Sequence, residues 1–347
     1  MKDLIKKIEE IDSQDMQSQI SSIYLQVEDS LKISESFFRK NKKYTKILKK
    51  IDNVLIIGMG GSAIGAEFAS KCFKNEYDKP IHILRDYDLP AWVNKKTFVI
   101  VSSYSGNTEE TLSAYKSCLK IGCNSIAIST CGNLTKIANR NEIDVIQIPT
   151  GFQPRAAIGY SLSLILLIFE QLGLISNIEN RLRAMLKVNS VDTNKENALV
   201  VSQKLYKKFP VIYSSGGINE VLAIRLKGQL AENSKILSYN STFPEHNHNE
   251  IEGWNKLENI TTNFVIVWIN DEDDRIEIKK RMKIVSKIVS LHTNNQIHLH
   301  SENNEMINRV FEMINFIDWI SYFLALKNDV NPSPVKNIEE LKILIRK

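Results

Sequence analysis

Cysteine, long apolar runs and an excess of one charge are all scarce in this chain, and each scarcity removes a class of protein. The four cysteines, Cys72, Cys118, Cys123 and Cys131, lie in the first half at spacings that match no zinc pattern. Three of them sit in helical or strand patterns, and all are expected to be reduced packing residues. The longest apolar segment, Leu162 to Phe169, falls well short of the roughly eighteen residues of a bilayer span, so no membrane partner is expected. The start, MKDLIKKIEEIDSQD, is charged and amphipathic and lacks the apolar core of a signal peptide, which predicts a cytoplasmic protein. A net charge of +5, from 45 basic and 40 acidic residues, does not call for nucleic acid. The densest basic run, Arg39 to Lys50, has Tyr44 as its one aromatic and reads as a solvated helix face. What is present is globular: 347 residues, 43% hydrophobic and 24% charged, make two domains of ordinary size. Leu4, Ile8 and Ile11, then Ile20, Tyr24, Val27 and Leu31, recur at helical spacing and predict helices packed against the first domain.

The stretch Thr97 to Gly122, TFVIVSSYSGNTEETLSAYKSCLKIG, reads as a buried strand, a hydroxyl-rich turn and a helix starting at Glu109. Asn107 or Thr108 serves as cap, with Glu110 in the capping-box position. Such a turn offers the hydroxyls of Ser103, Ser105 and Thr108, and helix N-terminal N–H groups, to a small anion, phosphate above all. The alternative is a capped surface turn. A second unit of the same kind runs from the strand Asp52 to Gly58 into MGGSAIGAEFASKCF, with Ser62 as helix cap. Gly58, Gly60 and Ala63 also satisfy the loose dinucleotide fingerprint G-x-G-x-x-A. However, Asp86 follows Gly60 by about twenty-six residues where about twenty is wanted, and the fingerprint leaves the hydroxyl-rich turn unexplained. A sugar-phosphate site is preferred to a dinucleotide site. Strands at Ser125 to Ser129 and Val145 to Ile148 complete a β-α alternation over residues 53 to 148, which implies a parallel sheet covered on both faces with its ligand beyond the strand C-termini. Arg155 then precedes an apolar helix from about Ala156 to Leu174. A cation at the positive helix end either snorkels to solvent or faces an anion.

Ile178 to Lys208 reads as a polar helical bridge. The strand-turn-helix plan returns with Pro210 to Ser215, Gly216-Gly217 and a helix from Val221 to Glu232. Strands Phe264 to Ile269 and Gln296 to Leu299, with helices Arg275 to Leu291 and Asn304 to Lys327, complete a second α/β unit. Glu232 ends an amphipathic helix, where a carboxylate is costly unless it pairs with Lys227 or Lys235 or serves as a base. His246 and His248 alternate in a polar loop beside Glu245 and Glu250, and His298 and His300 alternate on a strand. Neither pair finds a third ligand, so the loop reads as surface and no metal site is expected.

SYSGNTEET resembles the phosphosugar loop of SIS (sugar isomerase) domains. With Gly58 to Gly65, Gln153 to Arg155 (QPR), Gln229 to Asn233 (QLAEN) and Pro244 to Glu250 (PEHNHNE), the chain resembles the bifunctional phosphoglucose/phosphomannose isomerase family from about residue 50 to 347. The resemblance implies an α/β fold of two SIS-type domains, each a parallel sheet flanked by helices, with the ligand in the cleft between them. The expected division is N-terminal helices 1–50 on the first domain, a first SIS domain 51–175, a helical bridge 176–208, a second SIS domain 209–330, and a C-terminal helical tail 331–347 that completes the active site.

The activity implied is interconversion of glucose 6-phosphate, and of mannose 6-phosphate, with fructose 6-phosphate, without metal or redox cofactor. The resemblance places the phosphate at Gly61, Ser62, Ser103, Ser105 and Thr108. It makes Glu232 the carrier of the proton between C1 and C2, Arg155 the stabiliser of the enediolate, and His248 a ring-opening residue donated across a homodimer interface. Lys342 in IEELK, or alternatively Lys336, is the C-terminal lysine that assists ring opening. His246 stands where the family varies, and Ser333 where many members carry threonine. The rival readings are a non-catalytic sugar-phosphate sensor, an NAD-dependent oxidoreductase on the Gly58 to Ala63 loop, and an amino-sugar-forming synthase. The sensor lacks a helix-turn-helix segment in residues 1–50, and the synthase needs a near-terminal cysteine where this chain begins Met1-Lys2-Asp3.

Overall fold

Apolar residues at helical spacing fold the start of the chain into α1 (Lys2–Ile11), α2 (Met16–Ser21) and α3 (Ile23–Lys40). The computed structural model describes residues 2–188, 194–256 and 260–345. Its contacts divide the chain into two units, one of Ser21–Ser190 and one of Met1–Ile20 with Val191–Lys347. Residues 1–20 thus group with the second half of the chain, whereas helical periodicity alone assigns 1–50 to the first domain. Asp12 is one of the ties that group them so, beside Lys7 to Asp329 (2.6 Å). The Asp12 carboxylate accepts from the N–H groups of Met16 (2.8 Å) and Gln17 (2.9 Å) at the start of α2, and also from Tyr322 Oη (3.1 Å).

In the Ser21–Ser190 unit the apolar runs form β1 (Asn53–Ile57), β2 (Ile81–Leu84), β3 (Thr97–Ser102), β4 (Asn124–Ser129) and β5 (Val145–Gln147). The helices α4 (Gly60–Cys72), α5 (Glu109–Ile121), α6 (Gly132–Arg140), α7 (Ile158–Leu172) and α8 (Ile178–Val188) follow or separate them. All strands are parallel, in the order β2-β1-β3-β4-β5. Every residue of β3 is buried, as a strand covered on both faces requires. Leu55, Ile57, Val99, Val101 and Ala127 pack with Tyr115, Cys118, Leu134 and Ala138 of α5 and α6. The alternate strand residues face the other way, and α7 packs against α3 and α4. Gly159 makes the α3 approach possible: a Cβ there would lie 2.8 Å from Gln26, whose amide donates to Ala156 O (2.8 Å). The basic run from Arg39 to Lys50 is not one helix face. Helix α3 stops at Lys40, and two 3₁₀ turns carry the chain onward because Tyr44 is buried and bonds Asp144 Oδ2 (2.6 Å), with Lys43 2.5 Å from the same carboxylate.

The other unit contains α9 (Lys195–Leu205), β6 (Phe209–Ser214), α10 (Ile218–Glu232), β7 (Tyr239–Thr242), β8 (Phe264–Ile269), α11 (Ile276–Ser290), β9 (Gln296–Leu299), α12 (Met306–Lys327) and α13 (Lys336–Ile345). Its sheet is again parallel, in the order β7-β6-β8-β9. The edge strand β7, YNST, has no apolar signature and escapes the sequence reading. Val211, Tyr213, Ile266 and Trp268 form one core with Phe243, Trp254, Met282 and Val285. On α12, Asp318 receives both arms of Arg225 (3.0 and 2.6 Å) and the amide of Gln229 (2.6 Å), which locks α10 against it. The segment 176–208 that reads as one bridge is split: α8 packs on α3 and α7, α9 on α12, and residues 189–193 lie outside the described residues. So do residues 346–347 of the expected tail. No helix among the described residues is long and apolar enough to cross a membrane.

Candidate active site

A parallel sheet of order 2-1-3-4-5 opens a crevice where its winding reverses, beyond the C-terminal ends of the first and third strands. Here Ile57 of β1 pairs with Val101 of β3, so the two glycine-containing turns leave the sheet side by side. Gly60 adopts φ +51 and starts α4, with Met59 as an N-cap that makes no side-chain bond. Ser62 is therefore not the cap; the left-handed glycine begins the helix earlier and sets Ser62 in its first turn, largely buried. At Gly61 a Cβ would stand 2.7 Å from the carbonyl oxygen of Pro154, so only glycine lets the QPR loop lie against this turn.

The turn after β3 also departs from the expected capping box. Thr108 is the N-cap of α5 but makes no side-chain cap bond, because its hydroxyl lies 3.1 Å from Ser103 Oγ. Asn107 Oδ1 instead accepts from the N–H of Asn133 (3.0 Å) at the start of α6, and its own N–H donates to Ser105 Oγ (3.3 Å). The first N–H groups of α5 are thus left without a side-chain cap, the arrangement that favours an anion at a helix N-terminus. Gly106 has φ +66, and a Cβ there would fall 1.8 Å from Cys131 O, so the loop after β4 presses directly on the turn.

Tyr104, which the sequence reading passes over, ties this turn to the QPR loop. Its hydroxyl donates to Pro149 O (3.1 Å) and accepts from Phe152 N–H (2.9 Å). Burial pushes its phenol above the ordinary value. The signal was an aromatic inside a run of hydroxyls. Arg155 is only 5% exposed, which rules out snorkelling. It sits in a turn closed by Ala156 N–H to Gln153 O (2.8 Å), and α7 begins at Ile158. Ser62, Ser102, Tyr104, Pro154 and Ser161 surround a cavity of about 10 Å³, room for one water. Gly61, Ser62, Ser103, Ser105, Thr108 and Arg155 thus belong to one loop cluster at the switch point of one sheet.

The remaining sequence-predicted residues lie in the other unit. Arg225 and Gln229 hold α10 to Asp318, Asn233 Nδ2 donates to Ser321 Oγ (2.9 Å), and Ser234 Oγ to Ser321 O (2.6 Å). With its neighbours fixed in this way, Glu232 is half-buried and lines a cavity of about 570 Å³ together with Lys235, Asn331, Pro334, Lys336 and Ile338. Neither lysine near it in sequence serves only as its partner: Lys227 donates to Asn240 Oδ1 (3.2 Å), and Lys235 donates to backbone carbonyls. Of the two C-terminal lysines, Lys336 lines the cavity and Lys342 lies further along α13, exposed. Ser333 is buried, and its N–H donates to Asn331 Oδ1 (2.9 Å).

His248 is exposed at the end of the 3₁₀ turn Glu245–His248. His246, read from sequence as surface, is instead fully buried, stacked on Phe243 at 4.6 Å and 16° and edge-on to Tyr213 at 4.6 Å. Its neighbours are aromatic, and burial lowers its pKa below the ordinary histidine value. It is a packing residue. Among the described residues no group of three or more His, Cys, Asp or Glu is placed to hold a metal ion.

Comparison with known proteins bears on both units. Residues 194–345 match the family described as "Bacterial phospho-glucose isomerase C-terminal SIS domain". The chain is 40% identical over 312 residues to a bifunctional phosphoglucose/phosphomannose isomerase of Caldicellulosiruptor bescii, covering 87% of this chain and 92% of that protein. It is 33% identical over 324 residues to a protein of the same name from Aquifex aeolicus, covering 92% and 99%. Among solved structures, a hypothetical protein from Thermus thermophilus superposes with a TM-score of 0.72 at 16% identity, over 95% of this chain and 94% of that one.

Proposed function

The chain belongs to the bifunctional phosphoglucose/phosphomannose isomerase family, and we propose that it interconverts glucose 6-phosphate and mannose 6-phosphate with fructose 6-phosphate by proton transfer through a cis-enediolate. The observation that carries this reading is the cluster at the switch point of the first sheet. Hydroxyls of Ser62, Ser103, Ser105 and Thr108 gather there at two helix N-termini, beside a buried arginine. That set suits a phosphate and a second, transient negative charge. The phosphate anchor then contributes binding energy that positions the reacting carbons at a distance from it.

In the proposed sequence of steps, His248 and a C-terminal lysine open the sugar ring. Glu232 removes the proton from C2 of the aldose and returns it to C1, and Arg155 stabilises the charge that develops on the enediolate oxygen. The lysine is Lys342 by family resemblance, while Lys336 is favoured by its position in the cavity of Glu232; comparing Lys336→Met with Lys342→Met separates the two. Return of the proton to either face of C2 yields both aldose epimers, with Ser333 in the place where the family commonly carries threonine. The protein is proposed to work in the cytoplasm as a homodimer, with His248 given to the active site of the partner subunit.

The test is product analysis. Purified protein supplied with fructose 6-phosphate and EDTA is expected to form glucose 6-phosphate and mannose 6-phosphate. Glucose 6-phosphate alone removes the dual specificity and makes Ser333→Thr the next variant. Neither product, with sugar-phosphate binding intact, replaces the isomerase by a sensor.

A further inference from the structure

Lys235 follows α10 with φ +60, a left-handed conformation that is uncommon for a residue with a side chain. Its ammonium group has three protons and no acceptor. They are directed to the carbonyl oxygens of Glu232, Pro334 (2.7 Å) and Pro332 (3.4 Å). The first of these lies in the last turn of α10, where carbonyls lack intrahelical partners and the helix is at its negative end. The other two come from the stretch just before α13, in which Pro332 and Pro334 have no N–H to pair with a neighbouring strand or helix. One cation therefore joins the end of the helix that carries Glu232 to the segment that leads into Lys336, and all three residues line the same cavity of about 570 Å³.

We propose that Lys235 is a positioning residue for the isomerisation: it acts as a strut that fixes residues 332–334 against the end of α10 and so sets where the Glu232 carboxylate and the start of α13 stand relative to each other. The inference rests on the reading of Glu232 as the proton carrier. Proton transfer between adjacent carbons demands a carboxylate held within a fraction of an ångström of its track, and a displacement of about 1 Å can cost up to roughly a hundredfold in rate. A lysine serves here because the contacts are to carbonyl oxygens arranged around a point charge, not to a flat carboxylate that would favour arginine.

The test uses the full chain carrying Lys235→Met or Lys235→Arg. Lys235→Met is expected to lower kcat for fructose 6-phosphate by about tenfold or more while KM stays within about twofold, since the phosphate anchor is untouched. Backbone amides of residues 331–345 are expected to exchange hydrogen faster, while those of β6 and β8 keep their protection. Lys235→Arg, which keeps the charge in a fork able to reach two of the carbonyls, is expected to fall between wild type and Lys235→Met in both readouts. Wild-type kcat in Lys235→Met overturns the proposal, as does a loss of kcat without faster exchange at 331–345. If Lys235→Met does not fold, Lys235→Arg decides: wild-type kcat together with wild-type exchange overturns the strut. A wild-type protein that turns over no sugar phosphate would defeat the functional reading, whereas the exchange comparison still decides whether Lys235 holds the segment.

Discussion

The two sheets present the same crevice in opposite electrostatic states. Each winds outward from its first strand in both directions, so each has a switch point between its first and third strands in chain order, β1 and β3 in one unit, β6 and β8 in the other. At the second switch point Ser215, Gly216 and Gly217 lead into α10 much as Gly58 to Gly61 lead into α4. There the chain supplies its own anion: Asp274, from the loop after β8, accepts from Ser215 Oγ (2.7 Å), Asn219 Nδ2 (3.4 Å) and the N–H of Asp271 (2.8 Å). At the first switch point the hydroxyls of Ser103 and Thr108 bond each other, and no carboxylate bonds them or Ser62 among the described residues. A turn of this kind binds phosphate only where the protein has not already satisfied it with an internal carboxylate. In the proposed function the duplicated plan is divided, with anion binding falling to one unit and the proton carrier, Glu232, to the other.

The largest effect expected from breaking this division concerns the scaffold of the second unit. Asp318→Ala leaves Arg225 buried without its carboxylate and should cost about 3–5 kcal/mol of stability, read by urea denaturation. A loss below about 1 kcal/mol would mean that the pair does not hold α10. Next, Glu232→Gln should lower turnover at least about a hundredfold, the usual worth of a general base, while sugar-phosphate affinity stays unchanged. Near-normal turnover removes Glu232 from the chemistry. Ser105→Ala acts on the other side of the division: it should weaken binding of fructose 6-phosphate and of inorganic phosphate alike, by about 1.5 kcal/mol or roughly tenfold, with kcat little changed. Unchanged affinity for both would place the phosphate elsewhere.

Much of this division is legible in sequence, because it rests on features with short range. The apolar runs of β3 and β8 have no polar face, and the glycine turns that follow β1 and β3 read as an anion site at a helix start. What escaped the sequence depends on contacts between distant segments. Asn107 is a good cap by type, yet Asn133 takes its oxygen. His246 sits in a run of polar residues, yet Phe243 and Tyr213 enclose its ring. Tyr44 looks like a lone aromatic in a basic surface, but Asp144, a hundred positions away in sequence, anchors its hydroxyl in the core. Lys235 reads in sequence only as a neighbour of Glu232, since its carbonyl partners at Pro332 and Pro334 come beside it only after α12 has run its length.

The smallest expected effect tests the comparison itself through pH. Burial holds the Asp274 carboxyl above its ordinary pKa, against the lowering influence of its bonds to Asp271 N–H and Ser215. The native state therefore binds this proton more tightly than the unfolded chain does, so between the ordinary aspartate pKa and the raised native one stability falls as pH rises. Below that window Asp274 is protonated in both states and the penalty disappears. Asp274→Asn keeps an acceptor for Ser215 and cannot ionise. Its stability relative to wild type should accordingly improve on going from about pH 3.5 to pH 7, as measured by urea denaturation at the two values. A relative stability that worsens over that range would show that Asp274 is held as a favoured carboxylate, with its bonds outweighing its burial. The second switch point would then favour the carboxylate that the chain places in it, and Asp274→Ala, not Asp274→Asn, would be the variant in which to look for phosphate binding there.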